Sequence, residues 1–125
     1  MHSLLNQTHP NVEILVVNDG STDGAESVLD PFHDPDGERG VPVRVHHQPK
    51  LGLSAGRQWA VEHATGDWVA ITDIDVRPEP DWLANMVAQV QPLDEGERIV
   101  AVTGRTVFEQ AHDLVSRLRL SLIHI

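Results

Sequence analysis

The sequence predicts an α/β fold, in which a parallel β-sheet carries helices on both of its faces. Apolar runs rich in β-branched residues alternate with segments of helical periodicity, and strands separated by helices pair in parallel. The apolar runs end in polar turns that contain glycine or aspartate. The chain has 125 residues, of which 40% are hydrophobic, so we expect one small domain with one core.

The elements alternate along most of the chain. The predicted strands are residues 12–17, 43–47, 68–75 and 99–102. The predicted helical segments are the last turns of a helix in 1–8, then 25–29, 52–64, one that begins at Pro80 or Asp81, and 113–120. Residues 31–42 are rich in proline, glycine and aspartate, which predicts an exposed loop.

Two of the helices have informative faces. In the helix at 52–64, Ser54 is the predicted N-cap, and Gly56 lies on a face of small residues that permits close packing on the sheet. In the helix after Pro80, an apolar stripe at helical spacing predicts core residues, namely Trp82, Met86 and Val90.

Composition excludes several kinds of partner. Nineteen acidic and nine basic side chains give a net charge of -10, which argues against a nucleic-acid surface and against binding to anionic lipid. The absence of cysteine excludes disulfides and thiolate chemistry. No apolar run approaches the roughly 18 residues of a membrane span. We therefore expect a small-molecule ligand.

Two carboxylates end the predicted strand at 68–75. Asp73 and Asp75 are one residue apart, and ligands of open α/β sheets bind beyond the carboxyl ends of the strands. Paired acids there indicate a hard cation that shares its remaining positions with phosphate oxygens. The alternative is that the two acids only cap the next helix, and the strand alone favours neither.

A polar loop, N-D-G-S-T-D-G, follows the first predicted strand at 18–24. Its plain interpretation is a strand-to-helix connection, with Ser21, Thr22 or Asp23 as N-cap. The loop also approaches the spacing of a calcium-binding EF-hand. That interpretation fails because Glu26 occupies a position that should be apolar, and because a strand precedes the loop where a helix is needed.

Three further side chains are candidates for a site. Arg57 lies near the positive N-terminal end of its predicted helix, which suits an anion, although a solvated arginine is the alternative. His46 and His47 are adjacent and point to opposite faces of a strand, which is poor geometry for a shared metal. We interpret both histidines as structural or solvated.

Three motifs occur in order: N-D-G-S-T-D after a strand, then G-L-S-A-G-R, then A-T-G-D-W-V-A-I-T-D-I-D. In this order they resemble the nucleotide-sugar-binding half of a family-two glycosyltransferase, over about residues 3–103. S-L-L-N-Q-T-H-P-N resembles the segment that precedes the second strand in these enzymes. The resemblance implies the Rossmann-like parallel sheet of the GT-A fold. It also implies inverting, metal-dependent transfer from a nucleotide diphosphate sugar, most often a UDP-sugar, to a glycan, lipid or small-molecule acceptor.

The resemblance assigns the loop after the first predicted strand to the nucleotide. It implies that Asp19 hydrogen-bonds the base, most often uracil, with Gly20 and Ser21 beside it. A carboxylate can accept from the imide N–H of that base. Asn18 stands where these enzymes more usually have an aspartate.

The remaining assignments concern the diphosphate. Arg57 matches the arginine near the nucleotide and its diphosphate. Asp73 approaches the ribose, or the metal through water, and Asp75 ligates Mg²⁺ or Mn²⁺. By the same resemblance, the general base belongs to the second half of the domain.

The resemblance further implies a chain truncated at both ends. The family's first strand normally lies between the strands that end at Asp19 and Asp73, and its absence would leave a gap in the sheet. We expect residues 1–119 to be a partial, inactive domain. Residues 120–125 match the translated end of a common transposon-based sequencing adapter, which predicts a tail that is not gene-derived. We expect a cytoplasmic protein, or one held at the membrane by segments outside this chain.

Two alternatives stay open. Residues 73–76 fit the D-x-D-x-[TV] signature of haloacid-dehalogenase-type phosphatases, in which Asp73 would be the nucleophile and Asp75 the general acid. Arg77 and Pro78 follow where Gly-Thr is usual, and the Asp19 loop has no role in that mechanism. The other alternative is a remnant that binds nucleotide without catalysis.

Overall fold

The computed structural model describes residues 1–90, which form two strands and four α-helices. In chain order these elements are α1 His2–Leu5, β1 Ile14–Asp19, α2 Ala25–Leu29, β2 Val43–Gln48, α3 Leu53–His63 and α4 Trp82–Val90. A 3-10 turn, Asp30–Phe32, follows α2 directly. The predicted strand at 99–102, the predicted helix at 113–120 and the predicted tail at 120–125 lie outside the described residues.

β1 and β2 form a parallel sheet, which confirms the predicted α/β class. Ile14 is opposite Val43, and the register continues to Asp19 opposite Gln48. The two carboxyl ends therefore meet at one edge, where the loops after both strands can form a site. Among residues 1–90, the buried apolar side chains are those of Ile14, Leu29 and Val43.

Helix α3 packs on β1 through its small-residue face, as predicted. A Cβ atom at Gly56 would lie 3.2 Å from Val17 Cγ1, so the glycine lets the helix approach the strand closely. The predicted N-cap is wrong, because Gly52 and not Ser54 precedes the helix. Gly52 has φ of 96°, a backbone conformation that favours glycine, and the chain turns into the helix there.

The predicted strand at 68–75 is not formed. These residues form a bend, an irregular segment and a turn, and Trp68, Ile71 and Ile74 are 51%, 55% and 91% exposed. A strand obtains its backbone hydrogen bonds from a neighbouring strand, and none of the first 90 residues supplies one beside this segment. The β propensity of the run is therefore not sufficient to make it a strand.

The loop at 31–42 is more ordered than its composition predicts. Asp34 is only 9% exposed and accepts hydrogen bonds from the backbone N–H groups of Glu38 and Arg39. It also forms an antiparallel bridge with Val43 at the start of β2. The Arg39 guanidinium donates to two carbonyl groups of the same loop. The segment is thus closed around one carboxylate.

Helices α1 and α4 confirm the predicted elements at 1–8 and after Pro80. The prediction that the apolar stripe of α4 is part of the core is wrong, because the helix contains no buried residue. None of the helices in residues 1–90 is long and apolar enough to cross a membrane.

Candidate functional site

Asp19 closes β1 and connects it to the start of α3. Its Oδ1 accepts hydrogen bonds from Gln48 Nε2 at 2.7 Å and from the Leu51 backbone N–H at 2.8 Å. Its Oδ2 accepts from the Gly52 N–H at 2.8 Å. The bond from Gln48, followed by those from the backbone, holds the pKa of Asp19 below its usual value. The carboxylate is therefore ionised and fixed in place.

The loop after β1 packs directly on the loop after β2. Gly20 has φ of 70°, and a Cβ atom there would lie 2.6 Å from the Lys50 backbone nitrogen, so the position excludes a side chain. The Ser21 N–H donates to Asn18 Oδ1 at 3.0 Å.

The predicted N-cap of α2 at Ser21, Thr22 or Asp23 is wrong, because Gly24 occupies that position with φ of 85°. Asp23 precedes it and accepts a hydrogen bond from the Ala25 N–H at 3.1 Å.

The adjacent histidines are structural, as predicted. Asn18 is 4% exposed, and its Nδ2 lies 3.0 Å from His47 Nδ1. His47 Nε2 lies 2.9 Å from Asp30 Oδ1 on the other side of the ring. His46 points to the opposite face and stacks on Trp59 of α3, with the ring centroids 4.0 Å apart.

Arg57 and Asp73 are brought together although they are 16 positions apart in the chain. Arg57 lies in α3, and its Nη2 is 3.9 Å from Asp73 Oδ1. Both side chains are partly exposed, at 35% and 53%. Arg57 Nε is buried and has no hydrogen-bond partner within the described part of the chain. The contact of Nη2 with Asp73 is longer than a hydrogen bond, so the exposed end of the guanidinium, and not the buried Nε, is available to an anion.

Asp73 and Asp75 lie on a turn and not at the end of a strand. The Val76 N–H donates to the Asp73 carbonyl at 3.1 Å, and both acidic side chains are exposed. Within residues 1–90 no group of three His, Cys, Asp or Glu side chains is placed to hold a metal ion. The donor chemistry still fits Mg²⁺ or Mn²⁺, since both prefer carboxylate oxygens and take their other ligands from phosphate and water.

The sequence did not reveal the hydrogen-bond partners of Asp19 and Glu13. Gln48 could have been found, because parallel pairing of the two predicted strands places their ends side by side. Glu13, which interrupts the apolar run before β1, accepts from the Thr65 N–H and hydroxyl at 2.6 and 2.7 Å and from Arg44. Arg44 also donates to the His63 carbonyl at the end of α3.

Gln7 forms a second connection that the sequence did not reveal. Its Nε2 donates to the carbonyl groups of Ser3 at 2.9 Å and Glu79 at 2.8 Å. Its Oε1 accepts from the Leu83 N–H in the first turn of α4 at 3.0 Å. One side chain thus joins the end of α1 to the segment that follows Asp75.

Known proteins match this chain over most of its length. The sequence model of the family described as Glycosyl transferase family 2 matches residues 1–121. Glycosyltransferase GlyG of Streptococcus pneumoniae is 34% identical over 73% of this chain, and glycosyltransferase GlyA of the same organism is 27% identical over 93%. Glucosyl-dolichyl phosphate glucuronosyltransferase of Haloferax volcanii is 33% identical over 86%.

These matches cover only part of the relatives. The chain spans 29% of the length of GlyG, 18% of GlyA and 32% of the Haloferax enzyme. No solved structure matches the chain.

Proposed function

The chain belongs to glycosyl transferase family 2, and on that basis we propose that it is the donor-binding part of an enzyme that transfers a sugar from a UDP-sugar to an acceptor hydroxyl. The observation that best supports the proposal is the position of Arg57, whose partly exposed guanidinium lies 3.9 Å from Asp73. A positively charged hydrogen-bond donor suits the oxygens of a diphosphate, and a carboxylate beside it suits the hydroxyl groups of the attached ribose. Because the chain belongs to this family, we do not propose the phosphatase roles for Asp73 and Asp75.

In this proposal each side chain contacts a different part of the donor. Asp19 contacts the uracil and accepts a hydrogen bond from its imide N–H, and Gly20 and Ser21 lie beside the base in the same loop. Arg57 donates to diphosphate oxygens, and Asp73 contacts the ribose or a water of the metal. Asp75 supplies a carboxylate ligand.

The proposed metal is Mg²⁺ or Mn²⁺, which when bound neutralises the charge that grows on the departing nucleoside diphosphate. Asp73 and Asp75 would hold it, and their exposure leaves their oxygens available. The proposed reaction inverts the anomeric centre and requires a general base for the acceptor hydroxyl. We assign that base to none of residues 1–90, so the function proposed for these residues is donor binding without turnover.

Calorimetric titration with UDP, with and without Mn²⁺, tests this proposal. We expect Mn²⁺ to strengthen UDP binding about tenfold or more, since a carboxylate-bound cation adds charge-assisted contacts to the diphosphate. Asp75→Asn removes the metal-dependent part of the affinity. Asp36→Asn, a matched change of an exposed aspartate in the loop at 31–42, leaves it unchanged.

Two results would contradict the proposal. Equal metal dependence in Asp75→Asn and in the unchanged chain removes Asp75 from the metal site. Failure of the unchanged chain to bind UDP in both conditions removes the donor-binding function.

A further inference from the structure

The hydrogen bonds of Asp19 leave its carboxylate with little free capacity. An ionised carboxylate offers about four lone-pair positions, two on each oxygen. Oδ1 already accepts from Gln48 Nε2 and the Leu51 N–H, whereas Oδ2 accepts only from the Gly52 N–H. One acceptor position is left, and it lies on Oδ2.

Gln48 is the side chain that completes Oδ1. It ends β2 directly opposite Asp19 in the parallel register, so the two side chains leave neighbouring strands at the same level. Its Nε2 lies 3.9 Å from the position that a Cβ atom would take at Gly56. The amide therefore sits between the sheet edge and α3, in space that the glycine leaves open.

We propose that Gln48 is a positioning residue for nucleobase recognition, because by filling Oδ1 of Asp19 it leaves a single acceptor on Oδ2 that selects a base with a ring N–H. The inference rests on the proposed function and extends it to base selectivity. Uracil carries a hydrogen on N3 and can donate to that oxygen. Cytosine presents a lone pair at N3, and adenine presents one at N1. In each case a ring nitrogen that can only accept would face a carboxylate oxygen that can only accept, and no hydrogen bond would form.

The ionisation of Asp19 works in the same direction. The Gln48 bond is the largest cause of the lowered pKa of Asp19, so its loss makes the carboxyl group easier to protonate. Gln48 thus helps to keep Asp19 an acceptor, and loss of the Gln48 donor weakens the preference for uracil.

The test compares UDP and CDP binding to the chain by calorimetry in Mn²⁺ at pH 7. Gln48→Met keeps the length of the side chain and removes the donor. We expect UDP to bind about fivefold to tenfold more weakly, because Oδ2 of Asp19 is no longer held in place before the nucleotide binds, and the ratio of UDP to CDP affinity to fall.

Two further variants separate the donor from the volume it occupies. Gln48→Glu has the shape of glutamine but presents an acceptor to Asp19, and we expect at least as large a loss of UDP affinity. Gln58→Met is the matched control, because Gln58 also donates to a carboxylate, that of Glu62 at 2.6 Å, on the exposed face of α3. This control keeps both the UDP affinity and the selectivity.

Each outcome has a separate meaning. If the unchanged chain binds neither nucleotide, the proposed function fails and the inference fails with it. If it prefers UDP and Gln48→Met retains both the affinity and the preference, the inference is wrong while the proposed function stands. UDP binding by Gln48→Glu at the level of the unchanged chain would also overturn the inference, since shape alone would then be sufficient.

Discussion

At the scale of single residues, Glu13 shows how one carboxylate can fix the end of a helix. Burial raises the pKa of Glu13, but the hydrogen bonds from the Thr65 N–H, from the Thr65 hydroxyl and from Arg44 outweigh it, so the pKa lies below the usual value. Arg44 also donates to the carbonyl of His63, the last residue of α3. The group joins the start of β1, β2 and the turn after α3.

The direction of the Glu13 pKa shift determines how this contact depends on pH. Because the pKa of Glu13 is lowered from its ordinary 4.5, the contact is fully present above pH 4.5 and is lost as the pH falls through the lower value. We expect the Thr65 amide proton shift, followed by NMR, to titrate with a midpoint below 4.5. Glu13→Gln flattens that titration, whereas Glu38→Gln in the exposed loop does not. A midpoint above 4.5 would contradict the prediction.

The sequence singles out Asp19 and Arg57 as candidate site residues, but it does not predict what their side chains contact. Asp19 and Arg57 stand out because their positions relative to strand ends and helix starts are encoded locally. Their partners Gln48 and Asp73 depend on strand register and on the path of the chain between elements. Such contacts appear only once the elements are placed in space.

At the scale of elements, the helices were predicted more accurately than the strands. Helix α3 forms its hydrogen bonds within its own segment, so periodicity was enough to place it at Leu53–His63. The segment at 68–75 has an equally clear pattern but needs a neighbouring strand, which no part of residues 1–90 provides. β1 and β2 formed because each supplies the other's partner.

Substitution of Gln7 tests how α4 is held to the N-terminal segment. Gln7→Ala removes the acceptor of the Leu83 N–H and both donors to the N-terminal and post-Asp75 segments. We expect hydrogen-exchange protection of the Leu83 amide to fall about fivefold, as expected for the loss of one net hydrogen bond of about 1 kcal/mol.

A variant of the same size separates the two roles of Gln7. Gln7→Glu keeps an acceptor for Leu83 and adds negative charge at the N-terminus of α4, so the Leu83 amide stays protected. It cannot donate to Glu79, and the carbon chemical shift of the Glu79 carbonyl therefore changes. Asn6→Ala, an exposed neighbour, serves as the control. Equal protection of Leu83 in Gln7→Ala and in the unchanged chain would show that Gln7 does not hold α4.

At the scale of the whole molecule, the described region has a small core for its length. Its buried apolar side chains are Ile14, Leu29 and Val43, while Trp68, Ile71 and Ile74 are half or more exposed. Hydrophobic burial is the main favourable term in folding, and it has to offset the loss of chain entropy. Two regions are therefore held largely by hydrogen bonds, the parallel sheet with the Asp34 loop bridged to it and the Gln7 connection.

This distribution predicts weakly cooperative unfolding. A fully cooperative domain absorbs about 0.7 kcal/mol per residue near 60 °C, and we expect the chain to show well under half of that in scanning calorimetry. The transition should be broad, with a van't Hoff enthalpy smaller than the calorimetric one, because the sheet and α4 lose structure at different temperatures. Sedimentation in the same buffer establishes that the sample is monomeric. A single sharp transition of a monomer, with the two enthalpies equal, would show that these regions form one cooperative unit despite the small core.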